Sequence, residues 1–593
     1  MRRRRIVQWL RYIAGAACCT YFVFLTARYI QTNRSQDDNS NEIHIFPDAS
    51  VDINADHVST DLGKKIDWHN YQFMSDESRR RGPGEQGSSV MTSGDEASKK
   101  DQLYKENGFN ALASDKIALD RSVKDIRHTG CKTKLYYEHL PSVSVIVPFH
   151  NEHFSTLIRT ATSVLNRSPE HLIKEIILVD DFSSKEALKD SLDAYLQEHL
   201  PKVRVVRAPK REGLIRARLL GAKAATGAVL IFLDSHSEAN TNWLPPLLEP
   251  IAEDYRTATC PFIDIIDYET FEYRAQDEGA RGAFDWELYY KRLPLLPEDL
   301  KNPTEPFKSP VMAGGLFAIS RKFFWELGGY DEGLDVWGGE QYELSFKIWQ
   351  CGGKLVDTPC SRVGHIYRKF APFSNPGVGD FVGRNYRRVA EVWMDEYAEF
   401  VYKKRPHYKH IDAGDLSKQR ALRENLKCKS FKWFMTEVAF DQMERYPPIE
   451  PPDFAWGEIR NVGGNLCIDT RFKSQNDRFN LEPCIKDNAD NGGEQSFVLT
   501  WHKDIRPRGR AVCFDVSSSD NKTPVILYNC HNMQGNQQWK YNSDTKSLFH
   551  PVSSKCLDCD TERKEIFVNE CDRSKLSQQW LFENYNVTLL LKL

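Results

Sequence analysis

The chain has 593 residues, 40% hydrophobic and 27% charged, which is more than one hydrophobic core organises, so two or more domains are expected. Its 80 Lys and Arg are balanced by 83 Asp and Glu, for a formal charge of -3. That balance argues against a nucleic-acid partner, which would call for a basic domain or stripe.

The one basic cluster opens the chain. Arg2 to Arg5 precede Ile6 to Leu10 and Arg11, and Tyr12 to Ala27 then carries no charge until Arg28. We read residues 1–11 as a cytoplasmic tail and 12–30 as a transmembrane signal anchor. The uncharged core of about 16 residues is short against the ~20 of an ordinary span, but thin secretory-pathway membranes and snorkelling arginines accommodate it. A cleaved signal peptide is the alternative; no small-x-small site follows the apolar run to support it. An uncleaved anchor of this polarity leaves the rest of the chain in the lumen. Residues 31–130 are rich in Ser, Asp, Asn, Gly and charge and predict a stem that buries no core, with Arg79-Arg80-Arg81 in a solvated linker.

From residue 131 the pattern changes. Val143 to Pro148 reads as a buried strand, Phe154 to Leu165 as a helix and Glu175 to Val179 as a strand ending in Asp180-Asp181. Val203 to Val206, the helical Leu214 to Ala225 and the strand Val229 to Leu233 follow. Strands alternating with helices predict an open, largely parallel α/β sheet, whose ligands gather at the carboxyl ends of its strands, where Asp181 and Asp234 fall. The last strand runs into Asp234-Ser235-His236. Side chains two apart share one face of a strand, so this pair suits a divalent metal that holds a nucleotide diphosphate; taken alone, such a pair is more often a turn with a solvated histidine.

After Tyr446, Pro447 to Pro452 makes a stiff linker, 446–456. Beyond it Cys467-Ile468-Asp469, Cys513-Phe514-Asp515 and Cys556-Leu557-Asp558 recur every 43 to 46 residues. Each repeat ends near Gln-x-aromatic, at Gln495-Ser496-Phe497, Gln537-Gln538-Trp539 and Gln578-Gln579-Trp580. Three such units predict a closed threefold β domain over 457–586, with a WD-type propeller as the alternative that the cysteines oppose. Cys467/Cys484, Cys513/Cys530 and Cys556/Cys571 fall as three similarly spaced pairs, which suits an oxidising lumen. Zinc would need a second Cys-x-x-Cys beside Cys556/Cys559. Asn33, Asn166, Asn521 and Asn586 head glycosylation sequons.

Asp234-Ser235-His236, the segment Val336 to Phe346, the segment Val363 to Lys369 and the triple Gln-x-aromatic tail closely resemble the polypeptide N-acetylgalactosaminyltransferases, which begin mucin-type O-glycosylation. The resemblance covers roughly residues 131–585. It implies a GT-A glycosyltransferase domain, a Rossmann-like mixed sheet over 131–445, followed by a ricin-type β-trefoil lectin domain. It also implies a type II Golgi membrane enzyme that uses Mn²⁺ to transfer GalNAc from UDP-GalNAc to Ser/Thr hydroxyls of polypeptides, with retention of configuration. A weakly active glycopeptide-binding paralogue, or a transferase for another UDP-sugar, is the alternative.

Carried over by position, the metal ligands are Asp234, His236 and His365, a mixed carboxylate and imidazole set suited to Mn²⁺. A packed or capping histidine is the other reading of His365. Asp181 is placed at the uracil or ribose, Arg211 and Arg368 near the donor, where a guanidinium suits phosphate, Ser235 and Trp337 in the donor pocket, and Glu340 and Gln341 close to the transferred sugar. In isolation Arg211 reads as a surface ion pair with Glu212. The segment Arg368 to Gly379, including Phe373, matches a mobile active-site loop. The chain departs from the family at Gln341, where Asn is common, at Pro148, where a donor-contacting Thr is common, and at Phe370-Ala371-Pro372-Phe373, where a more polar stretch is expected. The reaction implied is front-face: a leaving-group phosphate oxygen takes the acceptor proton, and catalysis is chiefly electrostatic. In the lectin region the middle repeat alone has the family's sugar-binding set, Asp515, Tyr528, His531 and Asn536; Ile485 and Asp572 stand where the other repeats would need His. Core maintenance is the other reading of that set. By position, Cys131 is expected to pair with Cys360 and Cys351 with Cys428.

Overall fold

The computed structural model describes residues 61–591 apart from 277–278, 374, 488–491 and 533. The tail and anchor expected over 1–30 lie outside the described residues. Among the described residues no helix is long and apolar enough to cross a membrane. The chain divides into two compact units at Arg445/Tyr446.

The expectation of a stem reaching residue 130 is corrected: residues 61–130 are folded onto the first unit. Helix α1, Ala97–Asn107, leads into Phe109, Ala111, Ala113, Ile117 and Val123, which form a small core with Ile266, Phe271, Tyr273 and Ile366. Buried ion pairs reinforce it, Arg121 with Glu238 at 2.8 Å and Arg167 with Glu77 at 2.7 Å. Composition misled because the charges here are paired rather than solvated. Arg80, expected in a linker, donates to Glu85 and Asp120.

The first unit is built on a mixed ten-stranded sheet. In chain order its strands are β1 Val143–Phe149, β2 Ile173–Asp180, β3 Val203–Arg207, β4 Val229–Phe232, β5 Ser237–Ala239, β6 Thr257–Ile266, β7 Tyr273–Arg274, β8 Phe307–Lys308, β9 Phe317–Ser320 and β10 Lys354–Ile366. The main order is β8-β10-β6-β9-β4-β1-β2-β3, with β5 on β10 and β7 on β6. The half made of β4, β1, β2 and β3 is parallel, as expected. In the other half β10 is again parallel to β6, and both share the direction of β4, so the long strands are largely parallel as expected; β9, antiparallel to both β4 and β6, and the edge strand β8, antiparallel to β10, make the sheet mixed.

Both faces are covered, which explains the unbroken apolar strands. Val143, Val145, Val147, Ile176, Leu178, Val229 and Ile231 face one core with helix α2, Phe154–Asn166. Ile146, Ile177, Val179, Leu230 and Phe232, one residue out of step, face the other with α3, Leu214–Ala224, and α4, Glu340–Gln350. Two disulfides, Cys131–Cys360 and Cys351–Cys428, lie within this unit.

The second unit is a β-trefoil closed by Cys467–Cys484, Cys513–Cys530 and Cys556–Cys571. Its motifs have a visible purpose. Phe497, Trp539 and Trp580 fill the core with Ile468, Phe514 and Leu557, and the two tryptophans donate to the carbonyls of Phe514 and Leu557 at 3.1 and 2.9 Å. Gln495, Gln537 and Gln578 each donate 3.0 Å to the Asp of their own Cys-x-Asp triplet. Among the described residues, Cys260 and Cys559 are buried free thiols.

Candidate active site

Asp234 is carried two residues past the end of β4, and β5 then turns the chain antiparallel to β10. The register sets Ser237 opposite His365 and leads Ile366 N–H to the carbonyl of His236 at 3.1 Å. Two distant segments are thereby stitched together. One carboxylate oxygen of Asp234 and one ring nitrogen each of His236 and His365 all lie within 4.8 Å of one another.

The surroundings prepare this trio to ligate a cation. Both ring nitrogens of His365 are buried: Nδ1 has no hydrogen-bond partner among the described residues, and Nε2 faces Asp234 Oδ2 at 3.2 Å. His236 is oriented by Glu152, whose Oε2 accepts from His236 Nδ1 at 2.9 Å, Ser235 Oγ at 2.6 Å and Arg368 Nη2 at 2.6 Å. Burial, with Arg368 beside it, pushes the His236 pKa down and favours the neutral ring that a metal needs. Burial alone would raise Glu152, but Arg368 and His236 hold it well below the usual carboxylate range. Asp234 likewise stays ionised: burial opposes its charge, and His365 and Arg218 outweigh burial. Gly315 packs so close to the Asp234 carboxylate that any Cβ there would collide with it. An anionic oxygen, two imidazoles and a buried ring nitrogen without a partner fit a divalent transition-metal ion.

Beside the trio opens a cavity of about 560 Å³ lined by Asp234, His365, Trp337, Glu340 and Gln341 among others. Trp337 presents an exposed ring, 53% accessible. Glu340 heads α4 behind Gly338 and Gly339, both at positive φ. Its two oxygens are committed, Oε1 to Arg218 Nη1 at 3.2 Å and Oε2 to the N–H of Gly338 at 2.8 Å. Arg218 in turn donates to Asp234 Oδ1 at 3.2 Å. One buried guanidinium therefore couples the cation site to the residue facing the cavity.

The other residues singled out from the sequence sit around this cavity or beyond its lining. Asp181 is buried at the end of β2, where it accepts from the N–H groups of Glu212 and Gly213 at 2.6 and 2.9 Å and pairs with Arg211. Arg211 thus pairs with Asp181 rather than Glu212. Ser235 turns its hydroxyl to Glu152 and is not part of the cavity wall. Phe373 stacks over the Arg368 guanidinium at 5.3 Å and meets His150 edge-on at 5.8 Å. Pro148 sits inside β1 opposite Val179. The sequence reading missed Glu152 and Arg218. Arg218 had a signal: it shares the apolar face of α3 with Ile215, Leu219 and Ala222, an odd place for a cation unless it is paired. Glu152 had none.

In the trefoil, Gln537 gathers the middle-repeat set. It donates to Asp515 Oδ2, accepts from the N–H of His531 at 3.2 Å, and follows Asn536. Tyr528 lies on the neighbouring strand opposite Cys513, 41% exposed. Among the described residues this is the only hydrogen bond that Asp515 accepts through its side chain. Asp469 in the first repeat accepts from the N–H groups of Arg471 and Glu494 as well as Gln495, and Asp558 in the third accepts from Cys559 N–H and Asn569 as well as Gln578. Gly493 also closes over Asp469.

Comparison with known proteins agrees with this architecture. Residues 144–328 match the family model of glycosyl transferase family 2, 299–370 that of the N-terminal domain of galactosyltransferase, and 455–580 that of the ricin-type beta-trefoil lectin domain. The chain is 59% identical over 536 residues to a putative polypeptide N-acetylgalactosaminyltransferase 10 of Caenorhabditis briggsae, covering 89% of this chain and 85% of the relative. It is 54% identical over 539 residues to polypeptide N-acetylgalactosaminyltransferase 10 of Homo sapiens, covering 89% and 88%. Among solved structures it resembles GalNAc-T7 with UDP, GalNAc and Mn²⁺, at 42% identity and a TM-score of 0.60 over 85% of this chain and 93% of the other.

Proposed function

The chain belongs to the polypeptide N-acetylgalactosaminyltransferase family, and from that premise we propose that it transfers GalNAc from UDP-GalNAc to Ser or Thr hydroxyls of polypeptides with retention of configuration. The observation that carries the reading is the convergence of Asp234, His236 and His365 beside a cavity bounded by Trp337, Glu340 and Gln341. Those three residues would hold Mn²⁺, which when bound supplies Lewis-acid neutralisation of the diphosphate charge.

The chain's own residues do the rest. Arg368 offers a guanidinium fork to the diphosphate, and Glu152 holds that fork and His236 in one network. Trp337 and Gln341 bound the sugar side of the cavity. Because both oxygens of Glu340 are engaged, it suits a shaping role rather than that of a nucleophile. The acceptor oxygen then bonds to the anomeric carbon as the bond from that carbon to the phosphate oxygen breaks; its electron pair stays on UDP, and the departing phosphate oxygen takes the hydroxyl proton.

In the trefoil, Asp515, Tyr528, His531 and Asn536 form the GalNAc site for glycosylated substrate: Asp515 accepts from sugar hydroxyls and Tyr528 stacks on the ring. Residues 12–30 anchor the enzyme in the Golgi membrane with its catalytic region lumenal, a compartment suited to the five disulfides. Full-length enzyme with Mn²⁺, UDP-GalNAc and matched naked and GalNAc-bearing Ser/Thr peptides tests the activity. Transfer is expected with UDP-GalNAc above UDP-GlcNAc or UDP-glucose; no transfer across a broad peptide panel, or another preferred donor, overturns it. Protection of the catalytic region from protease in sealed vesicles tests the topology.

A further inference from the structure

We propose that the segment preceding the catalytic sheet is part of the active-site machinery: Gly108 and Phe109, at the end of α1, are positioning residues that set the Arg368 guanidinium and the root of its loop. The proposal rests on the transferase reading above and deepens it.

Arg368 follows β10, which ends at Ile366. Its Nη2 is tied to Glu152 and lies 3.3 Å from His236 Nδ1, while its Nη1 and the backbone that follows are held by the amino-terminal segment. Nη1 donates to the carbonyl of Asn107 at 2.6 Å, and the next N–H, of Lys369, donates to the carbonyl of Gly108 at 3.0 Å. The guanidinium lies within cation–π reach of the rings of Phe109 at 5.1 Å and Phe373 at 5.3 Å. Phe109 is fully buried and braced edge-on by Phe271 at 5.8 Å, so it is the more fixed of the two contacts, whereas Phe373 is 41% exposed.

The carbonyls that hold Arg368 and Lys369 are themselves aimed by local structure. Gly108 ends α1 at φ +75 with its N–H on the carbonyl of Tyr104, and a Cβ there would strike the carbonyl of Phe370. Asn107 is locked by donation to the carbonyl of Leu103 at 2.8 Å and by acceptance from Lys185 at 2.9 Å. Tyr104 meets Phe370 edge-on at 6.0 Å. Two of the five N–H donors of Arg368 are thus spent on Asn107 and Glu152, and the plane they define is fixed by Phe109 before any ligand arrives. An aliphatic side chain at 109 would fill space without offering a π face to the cation.

The test is a double-mutant cycle on the full-length chain with Phe109→Leu, Arg368→Lys and both, plus Phe109→Tyr and Gly108→Ala, reading kcat, peptide KM, Mn²⁺-dependent UDP affinity by calorimetry, and Tm. Phe109→Leu is expected to lower kcat about five- to tenfold at unchanged peptide KM, with Phe109→Tyr restoring most of it. In the Arg368→Lys background the same substitution should cost less than about twofold. Gly108→Ala should reproduce the kcat loss in enzyme that is still folded by its melting transition. Effects of Phe109→Leu and Arg368→Lys that simply multiply, or equal losses in the Leu and Tyr variants that track Tm, overturn the proposal. If wild type transfers no sugar, the transferase reading fails, and the cycle read in UDP affinity decides the positioning role: independent effects, or no UDP binding, refute it.

Discussion

Asp234 in the catalytic unit and Asp515 in the trefoil both come at or just after the end of an apolar strand, yet their surroundings are opposite. Asp234 stands among Arg218, His236 and His365, all buried or nearly so, with Glu152 and Arg368 one contact further out. Asp515 has the amide of Gln537 on one oxygen and an exposed tyrosine nearby. A site for a metal and a diphosphate must organise fixed charge before the ligand comes, because reorganising it during reaction is costly. A site for a neutral sugar needs a few hydrogen bonds and a flat apolar face. The first kind of site should therefore fail steeply and through residues that never touch substrate, and the second gently and locally.

The largest expected break is at the trio itself. His365→Ala should lower transfer by about 10³-fold and abolish Mn²⁺-dependent tightening of UDP binding, measured by calorimetry; retained Mn²⁺ response would show that the cation sits elsewhere. Glu152→Gln comes next. Removing the charge that orients His236 and Arg368 should weaken Mn²⁺ affinity and turnover about 10- to 100-fold, seen in a metal titration of activity. Arg218→Met leaves Asp234 and Glu340 without their shared partner, and a loss of about 3–5 kcal/mol in denaturant stability is expected, relieved in part when Asp234→Asn is added.

The trefoil should respond differently. Asp515→Ala should abolish the preference for GalNAc-bearing peptides while turnover of naked peptides stays within about twofold; equal losses on both would erase the contrast drawn here. Asp469→Ala and Asp558→Ala should instead leave that preference intact and lower Tm, because those carboxylates serve their own backbone turns. Burial raises the pKa of Asp515 despite its bond from Gln537, and sugar binding needs the carboxylate. Affinity for GalNAc should accordingly fall on acidification at a higher pH than an ordinary aspartate would dictate, which titration of sugar binding across acid pH checks.

How much of this could be read in advance follows the range of the interactions. Strands β1 to β4 and the trefoil repeats were legible because short unbroken apolar runs and recurrent Cys-x-Asp and Gln-x-aromatic signals are local. The resemblance supplied His365 as the partner of Asp234 and His236; the antiparallel register of β5 on β10 is the physical means of bringing them together, and no spacing encodes it. Residues 61–130 looked like solvated chain because Arg121 and Arg167 find their carboxylates at Glu238 and Glu77, 117 and 90 residues away in sequence. The mixed character of the sheet came from the resemblance and not from the residues: β9 is as apolar as a parallel strand, and direction leaves no mark on composition. Glu152 was invisible for want of any pattern at all, a single carboxylate after a turn that gathers Ser235, His236 and Arg368 on one oxygen only when folded.

The asymmetry among the trefoil repeats sets the valency of the second unit. A lectin with three open sites gains avidity by bridging neighbouring sugars on one chain, and its occupancy climbs steeply with sugar density. On the proposed reading, with Asp469 and Asp558 each engaged by the protein itself, the middle repeat is the one position among the described residues left to sample a glycopeptide. Such a unit responds in simple proportion to the number of GalNAc residues presented, and lets go of a crowded substrate as readily as of a sparse one.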